Sequence, residues 1–214
     1  MPETPTRRAA SSSVLLTTAY FPPVEYFAQL ARYSVVYLEA CEKYQKQSWR
    51  NRCRILTANG PMDLNFPIVH DGSTMIKDIK VDWSTPWLHK TEYAIDSAYY
   101  SSPFFEYYRD ELFAILDSRP ATLWEMNLLI IQFFCRKIGI NPEIRETESY
   151  EAPAGAYSRG ESEDRRYTIH PKMASDYVAR PYWQVFREKF GFVGGLSVMD
   201  LLFNEGPESL GYLL

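Results

Sequence analysis

Three cysteines and three histidines are all that the 214-residue chain holds of the side chains that most often ligate metals. Cys41, Cys53 and Cys135 show no metal-type spacing and cannot all pair within one chain, which fits a reducing compartment. A metal centre built from several histidines is not expected. No apolar run approaches the roughly 20 residues of a membrane-spanning helix, and Val14-Leu15-Leu16 is cut off by Thr17 and Thr18 before it can serve as a signal-peptide core. A cytoplasmic protein with no membrane span is expected. Excess positive charge is lacking too. At a net charge of −4 the molecule as a whole does not attract nucleic acid, so general nucleic-acid binding is not expected and any anion site has to be local. There is no phosphate loop ending in Lys-Ser or Lys-Thr and no GxGxxG after the first strand, so a nucleotide would need another cradle. The sequence specifies no cofactor.

What is present is ordinary globular material. Hydrophobic residues make up 46% and charged residues 23%, and the length suits one substantial core. Residues 1–13, rich in Pro, Thr, Ser and Arg, read as a flexible tail before a single domain over residues 14–214. Residues 14–19 read as a short buried strand, Pro22-Pro23 as the start of a helix to about Tyr33, and residues 34–39 as a second strand, together a crossover unit. Residues 50–56 and 63–69 suggest a hairpin around Asn59-Gly60-Pro61, with a connection longer than two residues, and residues 76–81 another strand. Two helices separated by Ser101-Ser102-Pro103 follow over residues 86–116. Residues 122–138 form the clearest helix, opened by Thr122 and Glu125 at capping-box spacing and closed by Gly139. Residues 146–166 read as an exposed excursion with the character of a lid, and residues 182–190 as a short helix. Ser197 and Asp200 predict a capping box for a last helix stopped by Gly206-Pro207. The expected fold is α/β, a single domain with a mixed β-sheet packed by several α-helices.

The stretch over residues 44–60 is the most unusual. If it is extended, Lys46, Arg50, Arg52 and Arg54 share one face and Gln45, Gln47, Asn51 and Cys53 the other. A row of guanidinium groups suits carboxylate or phosphate, while a solvated edge strand or a set of internal salt bridges would use the same residues.

Together with the N-terminal run through Thr18-Ala19-Tyr20-Phe21-Pro22-Pro23 and the C-terminal Leu201-Leu202-Phe203-Asn204-Glu205-Gly206-Pro207, this stretch resembles the WbqC-like family. The resemblance covers nearly the whole chain beyond the first dozen residues. It implies a place in O-antigen or other bacterial surface-polysaccharide biosynthesis, with transfer of a glycyl, other aminoacyl or other acyl group to an amino sugar. It transfers no catalytic residues.

His170, in Ile169-His170-Pro171-Lys172, is a candidate base with an ordinary pKa of about 6.5; its alternative is a turn fixed by hydrogen bonding to backbone. The resembling family tends to carry the same His-Pro pair. Glu39 is the chosen carboxylate of Glu39 and Glu42, whose odd separation puts them on opposite faces of a strand. Cys41 reads as a buried structural thiol, and alternation turns Cys53 away from its arginines. Tyr20 and Phe21 stand at the carboxyl end of the first strand, where open α/β sheets place ligands and a ring could stack on a sugar or base, although core packing is the commoner fate of such aromatics; Tyr182-Trp183-Gln184 carries the same ambiguity. The glycines of residues 191–195 suit a turn better than an anion cradle. Asn204 and Glu205 end a helix against its dipole, which implies a partner such as Lys46 or an arginine.

Two functions fit. In the first, the protein is an acyl or aminoacyl transferase acting on a nucleotide-linked amino sugar or other anionic small molecule. Arg50 and Arg52 hold the anion, Gln45, Gln47 and Asn51 orient polar groups, and His170 removes a proton. In the second, it is a noncatalytic module that binds a nucleotide sugar or a polysaccharide-pathway enzyme.

Overall fold

The computed structural model describes residues 13–150 and 162–214 of the chain. Residues 1–12 of the expected tail lie outside it. β1 (Ser13–Leu16) is buried at every position, as a parallel strand covered on both faces should be. The chain passes Pro22 and Pro23 into α1 (Val24–Arg32) and returns through β2 (Val35–Leu38), parallel to β1 with Ser13 opposite Val35 and Leu16 opposite Leu38. The crossover unit read from the sequence is present. Its second strand ends at Leu38 because the Glu39 carboxylate accepts the Cys41 backbone N–H at 3.0 Å, a local turn that takes the backbone out of the ladder.

Residues 45–51 are not extended. The Ser48 hydroxyl donates to the Gln45 carbonyl at 2.6 Å and caps a 3-10 turn at Trp49–Asn51. The expected common face for Lys46, Arg50, Arg52 and Arg54 is therefore corrected: only Arg52 and Arg54 share one, on β3 (Arg52–Thr57). That strand pairs with β4 (Gly60–Asn65) in an antiparallel hairpin. Gly60 lies opposite Thr57, so the connection is the two residues Ala58 and Asn59, shorter than expected. Gly60 adopts φ 105°, a conformation glycine accepts without strain.

Residues 76–81 form no strand. A 3-10 turn at Ile76–Asp78 is followed by isolated bridges from Val81 to Ile68 and from Lys80 to Thr122. α2 (Trp87–Tyr99) and α3 (Phe105–Asp117) break where Pro103 requires, and Arg109 ties them by donating to both oxygens of Asp96 at 2.6 and 2.8 Å. α4 (Leu123–Ile138) has its expected cap, the Thr122 hydroxyl accepting the Glu125 N–H at 3.1 Å, and ends at Gly139 with φ 83°.

β5 (Glu143–Glu146) joins the sheet beside β2, and β6 (Ser162–Asp164) beside β1. All pairings are parallel, in the order β5-β2-β1-β6. The stretch read as an exposed excursion thus contains a sheet strand, and residues 151–161 of the expected lid lie outside the described residues. Of the helix expected at residues 182–190, only α5 (Arg187–Phe190) forms, because Gln184 turns inward and bonds the Val193 carbonyl at 2.9 Å. α6 (Val198–Glu205) begins at Ser197, but Asp200 does not complete a capping box. Its carboxylate instead accepts the Tyr182 hydroxyl and the Gln184 amide, both at 2.8 Å. A 3-10 turn at Gly206–Glu208 leads into α7 (Ser209–Leu213).

One hydrophobic core joins these parts. Phe21 and Phe27 meet Phe134 of α4 edge-on at 6.2 and 5.7 Å, and Cys53, Ile55 and Leu64 bring the hairpin into the same cluster. The chain is a single α/β domain with a parallel sheet and a separate antiparallel hairpin.

Candidate functional site

In open parallel sheets ligands settle outside the carboxyl ends of the strands, at the point where successive connections leave in opposite directions. Here the chain steps outward from β1 to β2 and β5 and then returns to β6 on the other side of β1. The loops leaving β2, β5 and β6 meet at that edge and bring buried charge with them. Arg166, fully enclosed, donates from Nη1 to Glu39 Oε2 at 2.7 Å and from Nε and Nη2 to Asp164 at 3.0 and 2.7 Å. Glu39 Oε1 also accepts the Thr147 hydroxyl at 2.7 Å and the Cys41 N–H at 3.0 Å. Burial opposes the charge on Arg166, yet Asp164 and Glu39 outweigh it and hold the guanidinium firmly protonated. A second buried pair lies alongside. Arg50 donates from Nε to Glu42 Oε1 at 2.8 Å and from Nη2 to Glu42 Oε2, with its own backbone carbonyl held by Asn127 of α4 at 2.8 Å.

Above these pairs opens a cavity of about 390 Å³ lined by Cys41, Glu42, Lys43, Gln45, Met75 and the rings of Tyr150 and Tyr167. The two tyrosine hydroxyls meet at 3.0 Å, and their rings lie 5.5 and 5.6 Å from the Arg166 guanidinium. Burial raises the Tyr167 pKa to about 12, helped by the Tyr150 hydrogen bond. Glu42 differs from an ordinary carboxylate: burial pushes its pKa up, against the downward pull of Arg50. His170 stands near the same pair. Burial lowers its pKa, and the charges of Arg50 and Lys172 lower it further, so its ring is neutral at pH 7. Gln47, at a positive φ of 58° that few non-glycine residues adopt, is held there by a hydrogen bond from Lys172.

The model of the WbqC-like protein family matches residues 18–181, which include β2, the basic stretch and the loops just described. The chain belongs to this family. An uncharacterized protein of Mycobacterium tuberculosis (strain ATCC 25618 / H37Rv), Rv1507c, is 25% identical over 224 residues, covering 93% of this chain and 96% of its own. No solved structure matches the chain. The C-terminal motif that contributed to the resemblance lies beyond the family match.

The residues singled out from sequence are distributed unevenly over this WbqC-like protein. Gln45 lines the cavity, Arg50 is bound to Glu42 of its wall, and His170 feels the charge of Arg50, whereas Gln47 is bonded to Lys172 and is not part of the lining. Glu39 lies beneath, and three donors already occupy its two oxygens, which leaves the cavity carboxylate to Glu42. The sequence argument against Glu42 assumed a strand that ends before it. His170 Nδ1 accepts the Lys172 backbone N–H at 3.2 Å, which assigns the proton of the neutral ring to Nε2. In that state Nε2 can donate a hydrogen bond, and the unprotonated Nδ1 is engaged by the Lys172 N–H.

The others are elsewhere. Tyr20 is fully buried against Phe21 and Phe66 at 4.5 and 4.8 Å, a core residue rather than a ligand platform. Asn51 bonds the Phe66 carbonyl and the Tyr44 hydroxyl. Arg52 and Arg54 share Asp63, at 3.4 and 2.7 Å. Lys46 lies on a neighbouring cavity. Asn204 donates to the Asp200 carbonyl, and Glu205 accepts the Trp183 backbone N–H at 2.9 Å, so its partner is neither Lys46 nor an arginine. Cys53 is buried and its pKa is driven up by desolvation, a structural thiol. Among the described residues no group of three or more His, Cys, Asp or Glu side chains is placed to hold a metal ion, and no helix is long and apolar enough to cross a membrane.

Arg166, Asp164, Thr147, Tyr150 and Tyr167 escaped sequence reasoning. The one available signal was Glu163-Asp164-Arg165-Arg166, paired acids followed at once by paired bases in a segment otherwise read as loop.

Proposed function

We propose that this protein binds a nucleotide-linked amino sugar at the carboxyl edge of its parallel sheet and transfers an acyl or aminoacyl group to the sugar amine during bacterial surface-polysaccharide synthesis. The pathway and the reaction class rest on family resemblance. The observation that carries the site is the cavity in which Glu42 faces Tyr150 and Tyr167. Flat aromatic rings suit the C–H face of a pyranose, and a carboxylate beside them suits its amine. In the transfer the amine nitrogen attacks the acyl carbonyl of an activated ester, the N–C bond forms, the bond to the leaving oxygen or sulfur breaks, and one amine proton passes to Glu42. A carboxyl whose pKa is raised by burial is suited to receive it. His170 contributes a donor from Nε2 in place of the base role read from sequence.

A specific observation favours the noncatalytic alternative. Arg50 engages both Glu42 oxygens, and a carboxylate so held is a weaker base. One pair of measurements separates the two. A nucleotide amino sugar at 100 times its dissociation constant should stabilise the protein by roughly 2.7 kcal/mol and raise Tm by several degrees. With an activated acyl donor added, Glu42→Gln should lose turnover at least tenfold even when the conjugate is raised until the thermal shift shows saturation. Binding by the wild type without turnover would establish the module, and unchanged turnover in Glu42→Gln would remove Glu42 from the chemistry.

A further inference from the structure

We propose that a second cavity, on the far side of Lys43, is the nucleoside diphosphate subsite of the same ligand, an inference that rests on the reading above. This cavity, of about 430 Å³, is lined by Tyr44, Lys46, Ile68, Val69, Ser73, Thr74 and their neighbours, and Lys43 is the residue it shares with the carboxyl-edge cavity. A short antiparallel ladder forms the ridge between them: Tyr44 N–H donates to the Thr74 carbonyl at 2.8 Å, Ile76 N–H to the Glu42 carbonyl at 2.9 Å, and Lys43 is bridged to Met75. Glu42 and Met75 line one side of that ridge, Tyr44 and Thr74 the other, and Lys43 lies on both.

Charge points to an anion here. Arg50, Arg52 and Arg54 are each taken by a carboxylate, whereas Lys43 and Lys46 are exposed and form no ion pair among the described residues. No Asp or Glu lines the cavity. Asp71, next in sequence to His70 and Gly72 of the lining, is engaged by Lys80 at 2.9 Å and by the Ser73 N–H at 3.0 Å. Two ammonium groups on a cavity whose wall carries no carboxylate fit a diphosphate, whose charge each lysine can meet with charge-assisted hydrogen bonds. The apolar wall of Ile68, Val69 and Ile79, with the Tyr44 ring, offers a surface for the flat face of a base. With the diphosphate on the Lys43 ridge, the sugar falls on the Glu42 side and the nucleoside on the Ile68 side.

The test is calorimetric titration of the full chain with UDP and with a UDP-linked amino sugar, across the wild type, Lys43→Gln, Lys46→Gln, Glu42→Gln and a charge control, Lys90→Gln on α2. UDP alone should bind the wild type. Each of the two ridge-side lysine variants should weaken it about tenfold and reduce its salt dependence, while Lys90→Gln stays within about twofold. Lysine variants that bind UDP as the wild type does would overturn the subsite, and so would a wild type that binds the amino sugar conjugate but not UDP. If UDP depends on the lysines but the conjugate binds no tighter and ignores Glu42→Gln, the subsite stands and the amino sugar reading falls.

Discussion

Asp200 makes the stability of this protein depend on pH in a way that can be worked out in advance. It lies in the first turn of α6 with 2% of its surface exposed, and its carboxylate accepts hydrogen bonds from Tyr182 and Gln184. Burial penalises its charged form and outweighs those hydrogen bonds, so its pKa rises from 3.8 to about 6. Well below pH 3.8 the folded and unfolded chains both hold this proton, and well above pH 6 neither does. Between those limits the folded chain keeps a proton that the unfolded chain has lost, so this group's contribution to stability falls as pH rises. A shift of about 2 units corresponds to roughly 3 kcal/mol at 1.36 kcal/mol per unit. Asp200→Asn keeps the shape and cannot titrate. The stability of the wild type relative to Asp200→Asn, measured by urea unfolding at steps from pH 4 to pH 7.5, should therefore decline by roughly 2–2.5 kcal/mol, the part of that total which falls within this window. Two curves that run parallel within about 1 kcal/mol would show that Asp200 is not held protonated by its surroundings, and the reasoning from burial would fail.

Two further substitutions probe the frame of the site. Arg166→Met strands Glu39 and Asp164 at the sheet edge and should cost about 3–5 kcal/mol in urea unfolding, or roughly 10 °C in Tm; adding Glu39→Gln to it should recover part of that loss, and strict additivity would show that the pair is not coupled. Gly206→Ala places a methyl group 2.6 Å from the Phe104 ring at a φ of 54°, so it should destabilise by roughly 2–4 kcal/mol, and a variant as stable as the wild type would contradict the close approach.

The parts legible in the sequence were those governed by local rules. Pro103, the Thr122 cap and Gly139 set helix limits through steric and hydrogen-bonding effects within a few residues, and those limits are where the rules place them. The basic stretch was legible as unusual but not in its geometry, because the Ser48 turn breaks the alternation that parity reasoning requires. Glu39 and Glu42 were placed on opposite faces for the same reason, and the early end of β2 brings both to one edge instead. Arg166 was invisible because its partners are distant in sequence or lie in strands too short to show a period: Glu39 is 127 residues away. β6, three residues long, carries no apolar signal of its own.

The two buried ion pairs at the sheet edge bear on function more than on stability. Taking charges out of water costs several kcal/mol per ion, and their mutual attraction recovers this only when hydrogen bonding is complete. Completeness is what differs between them. The Glu39 oxygens accept from Arg166, Thr147 and the Cys41 N–H, so that pair is largely engaged within the protein and acts to hold the β2, β5 and β6 loops in one arrangement. Among the described residues Glu42 has Arg50 as its one charged hydrogen-bonding partner; it keeps a raised pKa despite it and opens onto the cavity. A carboxylate that is buried, incompletely satisfied and adjacent to open space is the member of the network with interactions still to make. The saturated pair fixes the geometry; the unsaturated one is where a ligand amine would gain most by binding.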